Sequence, residues 1–475
     1  MKIKFLYGVD RKKEQYVEEN FCMDFGSNVG SFQCGLYIGS SANDGGAAGR
    51  GKCRASGSRQ RYHECFTICG DLVDQDLRWS YYPKENTAEY DSEKILTQQQ
   101  AIEDVTYLFD AFHDCYGPYQ YFGGAEVFDK AEEAIKAELQ TKETLIAADL
   151  EQILLENLAF IKDGHFSINM KRANPTKIPF FFREVAFVKT EEGYQAIDGR
   201  KVESVEGYDN LDELMKRSIS PEGKLVYYPV LLKDNDPSIR LDLPQSCKET
   251  LIVHYTNKTT QELKAEPFQI YSKTFLKTPE EYQVVTSRQN GEIPVFQFNE
   301  FDLDYKEEIS EGAKVLKKAP IAILDLRSNR GGSALIAEDW ISKYANTLVL
   351  MNRNIIDTKT GEFLRNEEDK WIENPNMLII LSGKYSASAS EMLIDCAYNL
   401  ENVLIIGENT MGALLGGQGS TCLPSSAVKV GVGNGLMSLQ TEGDHFEELR
   451  GFYPDIWVPA GEAEELAVKL IENLK

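Results

Sequence analysis

The apolar positions of this chain follow three successive patterns. From residue 97 to about 161 they recur at helical spacing. Ile102, Val105, Leu108, Phe109 and Phe112 mark a helix capped by Thr97 and closed by Gly117. Phe128, Ala131, Ile135 and Leu139 mark a second helix. A third is expected from about Leu145 to Ile161, with Leu154, Leu155 and Leu158 inward and Gly164 as its left-handed stop. A short strand-like stretch, Phe166 to Met170, follows His165. From about Ile178 to Glu292 the pattern alternates with period two, in Val185 to Val188, Tyr194 to Ile197, Leu225 to Leu232 and Thr250 to Tyr255. Turn signals Glu192-Gly193 and Asp198-Gly199 separate these runs, and a helical stretch from Leu211 to Lys216 interrupts them. In the last third, Ile321 to Leu326, Met377 to Leu381 and Val403 to Ile406 are continuously apolar, with Val295 to Phe298 as a further run. Helical patterns, Leu335 to Tyr344 and Ser390 to Tyr398, lie between them. Strands apolar on both faces and separated by helices predict a parallel sheet covered on both sides.

These shifts predict a multi-domain α/β protein. A β-leaning region of unclear fold spans 1–90, a helical region ending in the His165 turn spans 91–170, a β-rich insertion spans 178–292, and a sheet-and-helix core spans 293–475. The first region carries strand-like runs at Ser31 to Ile38 and Leu77 to Tyr82 around a Gly/Ser-rich loop, Gly39 to Ser58. Its Gly49-Arg-Gly-Lys52 piece lacks phosphate-loop spacing. The Gly431-Val-Gly-Asn-Gly435 run likewise reads as a strand and turn, not a dinucleotide fingerprint.

Length and charge narrow the function. A chain of 475 residues with 42% apolar content has material for two to four cores, which excludes global disorder. A net charge of −24 argues against nucleic acid and anionic membranes as partners. No apolar stretch is long enough to span a bilayer. The N-terminus turns polar too soon for a signal peptide, so a cytoplasmic location is expected; a start trimmed of a leader would leave a secreted or envelope location open. Five of nine cysteines fall before residue 70, none in a Cys-x-x-Cys pair. With only His63 nearby, reduced thiols are expected and no metal or cofactor site.

Chemistry concentrates at two strand ends. Lys384-Tyr-Ser-Ala-Ser-Ala-Ser-Glu391 joins an apolar strand to a helix start, where backbone N–H groups and the helix dipole favour negative charge, including that of an oxyanion. A helix cap alone is the simpler reading of such serines. Asp325-Leu-Arg-Ser-Asn-Arg-Gly-Gly332 follows a neighbouring strand, and its glycine pair lets backbone amides approach a substrate. In open α/β sheets, sites gather at these carboxyl ends.

These two motifs, followed by Gly407-Glu-Asn-Thr-Met-Gly412 and Gly451-Phe-Tyr-Pro-Asp-Ile456, resemble the tail-specific (carboxyl-terminal processing) serine peptidase family. The resemblance covers about residues 294–459. It implies a crotonase-like core, an inserted domain in the position of the PDZ-like domain of many relatives, and no cofactor. It implies Ser388 as nucleophile, with Ser386 and Ser390 structural. It also implies an oxyanion hole from the N–H of Gly331 or Gly332 and the N–H of Ala389. The lysine base of the better-known branch would stand at 413, which is Ala413, and no Lys, Arg or His occurs between Lys384 and Lys429. The base must come from elsewhere. Similarity to the tricorn-like branch points to His165, in Asp163-Gly-His165, and to Glu448 as the carboxylate that orients it. That branch has a serine just before the histidine, where this chain has Gly164, so Glu448 would reach the imidazole directly, through water or through Ser167. His445 is a competing base. His113 reads as packing, and His254 lies in a strand of the insertion.

The resulting expectation is a metal-independent serine peptidase acting on peptides or unfolded protein, with homo-oligomerisation left open. The insertion lacks a Gly-Leu-Gly-Phe-like carboxylate-binding loop. Two alternatives are a non-catalytic peptide- or ligand-binding protein on the same scaffold and a crotonase-type acyl-CoA enzyme. No adenine- or phosphate-binding signature supports the latter.

Overall fold

Thr97 starts the first helix as its side chain predicts. In the computed structural model, which describes residues 89–235, 244–271, 283–351, 371–417, 419–436 and 446–474, Thr97 Oγ1 accepts from the Gln100 N–H and the Gln100 amide oxygen accepts from the Thr97 N–H. This reciprocal box satisfies two donors that a helix start leaves open. Helices α1 (Gln98–Cys115), α2 (Gly124–Leu139) and α3 (Ala147–Asn157) pack their apolar faces together. Phe109, Phe112, Phe128 and Phe166 lie at the centre of that core.

Two expectations change here. Helix α3 ends at Asn157 rather than Ile161, and Leu158 to Phe160 form a turn that still delivers Ile161 to the core. Phe166 to Met170 is not a strand. Asn169 and Met170 adopt φ of 47° and 65°, so the chain reverses at Ile168, which bridges Lys171 across the turn and Val430 on its other side. The bridge to Val430, and the Gly431 N–H donating to the Ser167 carbonyl at 2.7 Å, dock the His165 turn onto the hairpin of Ser420–Cys422 and Lys429–Gly431.

The β-rich stretch forms two small sheets. One contains Lys177–Phe181, Leu225–Asp234, Phe187–Thr190 and Gly193–Ala196, with Met215–Ile219 paired to Leu225–Asp234. The other contains Thr260–Lys264, Thr250–Tyr255 and Val202–Val205. The helical stretch is a single turn, Leu211–Leu214.

The continuous apolar runs pair into one six-stranded sheet. It contains β1 (Val285–Asn290), β2 (Ile293–Phe298), β3 (Ile321–Asp325), β4 (Met377–Ser382), β5 (Val403–Gly407) and β6 (Ile456–Trp457), side by side in that order. β1 is antiparallel to β2, and the other pairs are parallel. The end of the stretch read as insertion is thus the sheet's edge strand. β2 to β6 are buried throughout, hence their apolar runs. Ala322, Leu324, Leu378, Ile380, Val403 and Ile405 share one core with helices α4 (Lys306–Leu316), α5 (Ala334–Ala345) and α6 (Ala389–Ala397). Helix α7 (Ala463–Leu474) packs against β5. No helix among the described residues is long and apolar enough to cross a membrane.

The N-terminal runs, the five N-terminal cysteines, His63 and His445 lie outside the described residues.

Candidate active site

Ser388 sits between β4 and α6 with φ 55° and ψ −116°, a conformation unusual for a residue with a side chain. Such a turn costs on the order of 1–3 kcal/mol and persists only where the surroundings impose it. They do so on both flanks. The Ser386 hydroxyl donates to the Leu326 carbonyl at 2.8 Å, and the Ser390 hydroxyl donates to the Asn329 carbonyl at 2.9 Å. The outer serines therefore tie the run to the loop after β3 and leave Ser388 between them.

That loop is itself braced. Arg327 is buried and forks onto Asp325, with Nε–Oδ1 2.8 Å and Nη2–Oδ2 2.7 Å, while its Nη1 donates to the Ala460 carbonyl. Asn329 donates to the Phe298 carbonyl and accepts from the Gly331 N–H at 2.9 Å. Gly331 has φ 98°, and a Cβ there would stand 2.7 Å from Ser388 Cβ and 2.8 Å from the Ala387 carbonyl oxygen. Only glycine fits that approach. The Gly331 amide is committed to Asn329, and the amides of Gly332 and Ala389 in the two turns have no acceptor among the described residues.

His165 reaches this point from 223 residues away: its Nε2 lies 3.1 Å from Ser388 Oγ. Its side chain is 12% exposed, and burial pushes its pKa below the usual 6.5, against the opposing influence of Asp163. Nδ1 is buried with no hydrogen-bond partner, and Asp163 Oδ1 stands 3.8 Å from it. Asp163 is held by the Tyr116 hydroxyl at 2.9 Å and by the His165 N–H at 2.8 Å.

Glu448 does not contact the imidazole. Its carboxylate accepts from the Gly164 N–H at 2.7 Å, the Leu414 N–H at 3.1 Å and the Leu415 N–H at 3.0 Å. Burial and the charge of Asp163 push its pKa up, and the amide donors pull the other way. It thus fixes the backbone beside His165, while Asp163 is the carboxylate nearer the ring. The expected serine is absent at 164 for a steric reason: a Cβ there would overlap the Gly412 carbonyl oxygen and crowd Ala413. Gly164 is not left-handed, so close approach rather than helix termination requires it. Gly164→Ala is expected to lower the unfolding free energy by about 1–3 kcal/mol, read as a lower denaturant midpoint. An unchanged midpoint would refute the crowding argument.

Sequence reasoning missed Glu391. This fully buried carboxylate accepts four hydrogen bonds: from the Ser388 N–H (3.0 Å), the Thr410 hydroxyl (2.5 Å), and the amides of Gly412 (2.7 Å) and Ala413 (2.9 Å). It couples the serine turn to the loop that faces His165. Lys384, also fully buried, donates to the carbonyls of Thr410 (2.7 Å) and Met411 (3.1 Å), and burial lowers its pKa to about 7. It braces the same loop. The signal for both was adjacency to the serine run. Ala413 is buried in an apolar cluster with Tyr385, Ala387, Met411, Phe180 and Phe268. His113 is exposed beside Asp114, and His254 pairs with Glu206 in the insertion. Among the described residues no group of side chains could hold a metal ion.

An alcohol within hydrogen-bond reach of an imidazole, at a turn whose Ala389 amide is unengaged among the described residues, has parts suited to acyl transfer. Residues 291–458 match the model of peptidase family S41. The carboxy-terminal processing protease CtpA of Bacillus subtilis (strain 168) is 29% identical over 137 residues, 28% of this chain and 28% of that protein. The match thus spans under a third of the curated relative. Among solved structures, mature CPAF with lactacystin is 14% identical (TM-score 0.42; 79% of this chain, 98% of that one). The photosystem II D1 C-terminal processing protease is 16% identical (TM-score 0.36; 77% and 94%).

Proposed function

We propose that this chain, whose residues 291–458 form a domain of the serine-type hydrolase family peptidase S41, hydrolyses peptide bonds through an acyl-enzyme on Ser388. The observation that carries this is the 3.1 Å approach of His165 Nε2 to Ser388 Oγ. With its proton on Nδ1, His165 accepts the Ser388 hydroxyl proton as oxygen attacks the peptide carbonyl. The amides of Gly332 and Ala389 receive the developing oxyanion. The imidazolium then protonates the leaving amine, and water, activated by the same imidazole, releases the acyl group. Asp163 lies where it would stabilise the imidazolium, and Glu448 is a positioning residue acting through the Gly164 backbone. In this reading the sheet of β1 to β6 is a crotonase-like core, and the two small sheets occupy the place of a PDZ-like domain. Peptides or unfolded protein are the substrates.

A fluorophosphonate probe tests the reading. Ser388 should be labelled in the native chain, and Ser388→Ala should not. Absence of labelling in the folded native chain would sink it.

The pH profile offers a second check. His165 must be neutral to accept a proton, and burial lowers its pKa, so the acid limb of kcat/KM is expected below pH 6.5. The linkage has the same sign. A depressed folded-state pKa gives stability present above about pH 6.5 and lost as pH falls through that region. Asp163 raises the His165 pKa, so Asp163→Asn should move the acid limb to still lower pH while reducing the rate. A limb that stays in place, or moves up, counts against Asp163 as the nearby charge.

A further inference from the structure

Helix α1 ends close to the proposed base. Tyr116 follows its last residue directly, and the backbone is fixed on both sides: the Tyr116 N–H donates to the Phe112 carbonyl at 3.2 Å, and the Gly117 N–H donates to the Gly433 carbonyl at 2.8 Å. The Tyr116 side chain is buried, with its ring stacked on Phe122 at an interplanar angle of 5° and met edge-on by Phe128. An aromatic ring packed on its faces and edges carries its polar tip to one place. That tip, the hydroxyl, donates to Asp163 Oδ2 at 2.9 Å. Burial, with the charge of Asp163 beside it, raises the Tyr116 pKa well above the usual 10. The phenol therefore keeps the proton it donates throughout the range in which an imidazole titrates.

The Asp163 carboxylate has little freedom apart from that bond. Its side chain is 1% exposed, and Oδ1 accepts the His165 N–H at 2.8 Å while standing 3.8 Å from His165 Nδ1. On the Oδ2 side lies Gly416, where a Cβ would come within 2.3 Å of that oxygen. The carboxylate is thus wedged between the Gly416 backbone and the Tyr116 hydroxyl, with Oδ1 on the ring side. The other charges felt at His165 are Glu391 and Arg172, and Glu448 is felt at Tyr116 and feels Asp163. Glu448 is held by backbone amides, and Glu391 by amides and the Thr410 hydroxyl. Asp163 differs in being held by a side chain from the helical region. Tyr116 and Asp163 both lie outside residues 291–458, the part that matches the peptidase family.

We propose that Tyr116 is a positioning residue: its hydroxyl holds the Asp163 carboxylate on the Nδ1 side of His165, where the carboxylate stabilises the imidazolium formed as Ser388 gives up its proton. The catalytic consequence rests on the peptidase reading above, but the electrostatic effect on His165 does not. Without the hydroxyl, Oδ2 loses its donor from helix α1, the carboxylate is no longer held beside the ring, and its support of the positive imidazole weakens.

The test is an NMR titration of the full chain labelled with carbon-13 at the histidine ring Cε1, with His165→Gln used to assign the His165 signal among the five histidines. The midpoint of native His165 is expected below 6.5, and Tyr116→Phe should lower it by about 0.5 or more. Added to Asp163→Ala, the same change should leave the midpoint where Asp163→Ala alone puts it. A purely structural role would not make the shift depend on Asp163. A midpoint that stays or rises in Tyr116→Phe protein with native circular dichroism overturns the proposal, as does an equal fall in both backgrounds. Gly416→Ala presses on Oδ2 from the opposite side and should also lower the midpoint. It decides the matter where Tyr116→Phe fails to fold, and an unmoved midpoint there likewise overturns the proposal. Fluorophosphonate labelling of native Ser388 is read separately. Labelling with an unmoved midpoint removes the role of Tyr116 alone, and a lowered midpoint without labelling removes the peptidase reading alone.

Discussion

Ser388→Ala is expected to lower kcat/KM on a cleaved peptide by about 10⁶-fold, His165→Ala by a similar factor, and the double variant by no more than either. A loss of that size is roughly 8 kcal/mol of transition-state stabilisation. The proposed dyad predicts non-additivity, since without the base the hydroxyl would keep its proton, and without the hydroxyl the base would have nothing to activate. The residual rate would come from Gly332, Ala389 and substrate binding. Alanine retains the Ser388 Cβ that meets the Gly331 loop, and the ties from Ser386 and Ser390 to Leu326 and Asn329 are untouched. The folded state should therefore survive, and the lost rate should be chemical. Measured by single-turnover kinetics on both single variants and the double, multiplicative losses would show that His165 acts independently of Ser388 and would break the proposed dyad.

The legible parts of this molecule were those written in local pattern. The apolar runs of β2 to β5 appear in the sequence because both faces are covered, and Thr97 and Gln100 announce their own capping box. The serine run and the Asp325–Gly332 motif could be placed at adjacent strand ends for the same reason. What could not be read was which polar atoms meet. Glu391 looked like the last letter of a motif, yet it accepts hydrogen bonds from both its own serine turn and the separate Thr410–Ala413 loop. Gly164 looked like a helix stop because a left-handed glycine and a glycine pressed against a distant carbonyl are the same letter. Glu448 was expected behind the ring where Asp163 lies nearer, since sequence spacing cannot tell a carboxylate that holds a backbone amide from one that stands beside an imidazole.

Glu391→Ala should be the most destabilising single change near the site, by about 3–5 kcal/mol. The removed carboxylate would leave the Ser388, Gly412 and Ala413 amides and the Thr410 hydroxyl without their acceptor in a place water does not reach, each unsatisfied donor costing about 1–3 kcal/mol before relaxation. Glu391→Gln distinguishes this from simple cavity formation. Its volume is the same, but its NH₂ group would face donors at one end of the site, so it should still cost about 1–3 kcal/mol. The two effects can be read as denaturant midpoints at constant slope. Fluorophosphonate labelling of the remaining folded protein should slow as well, because the Ser388 N–H bond that helps hold φ at 55° is gone and the Gly412–Ala413 loop facing Gly164 loses its tie. If Glu391→Ala shifted stability by less than about 1 kcal/mol, the four hydrogen bonds would have to be replaceable by solvent. The strained serine turn would then need some other support.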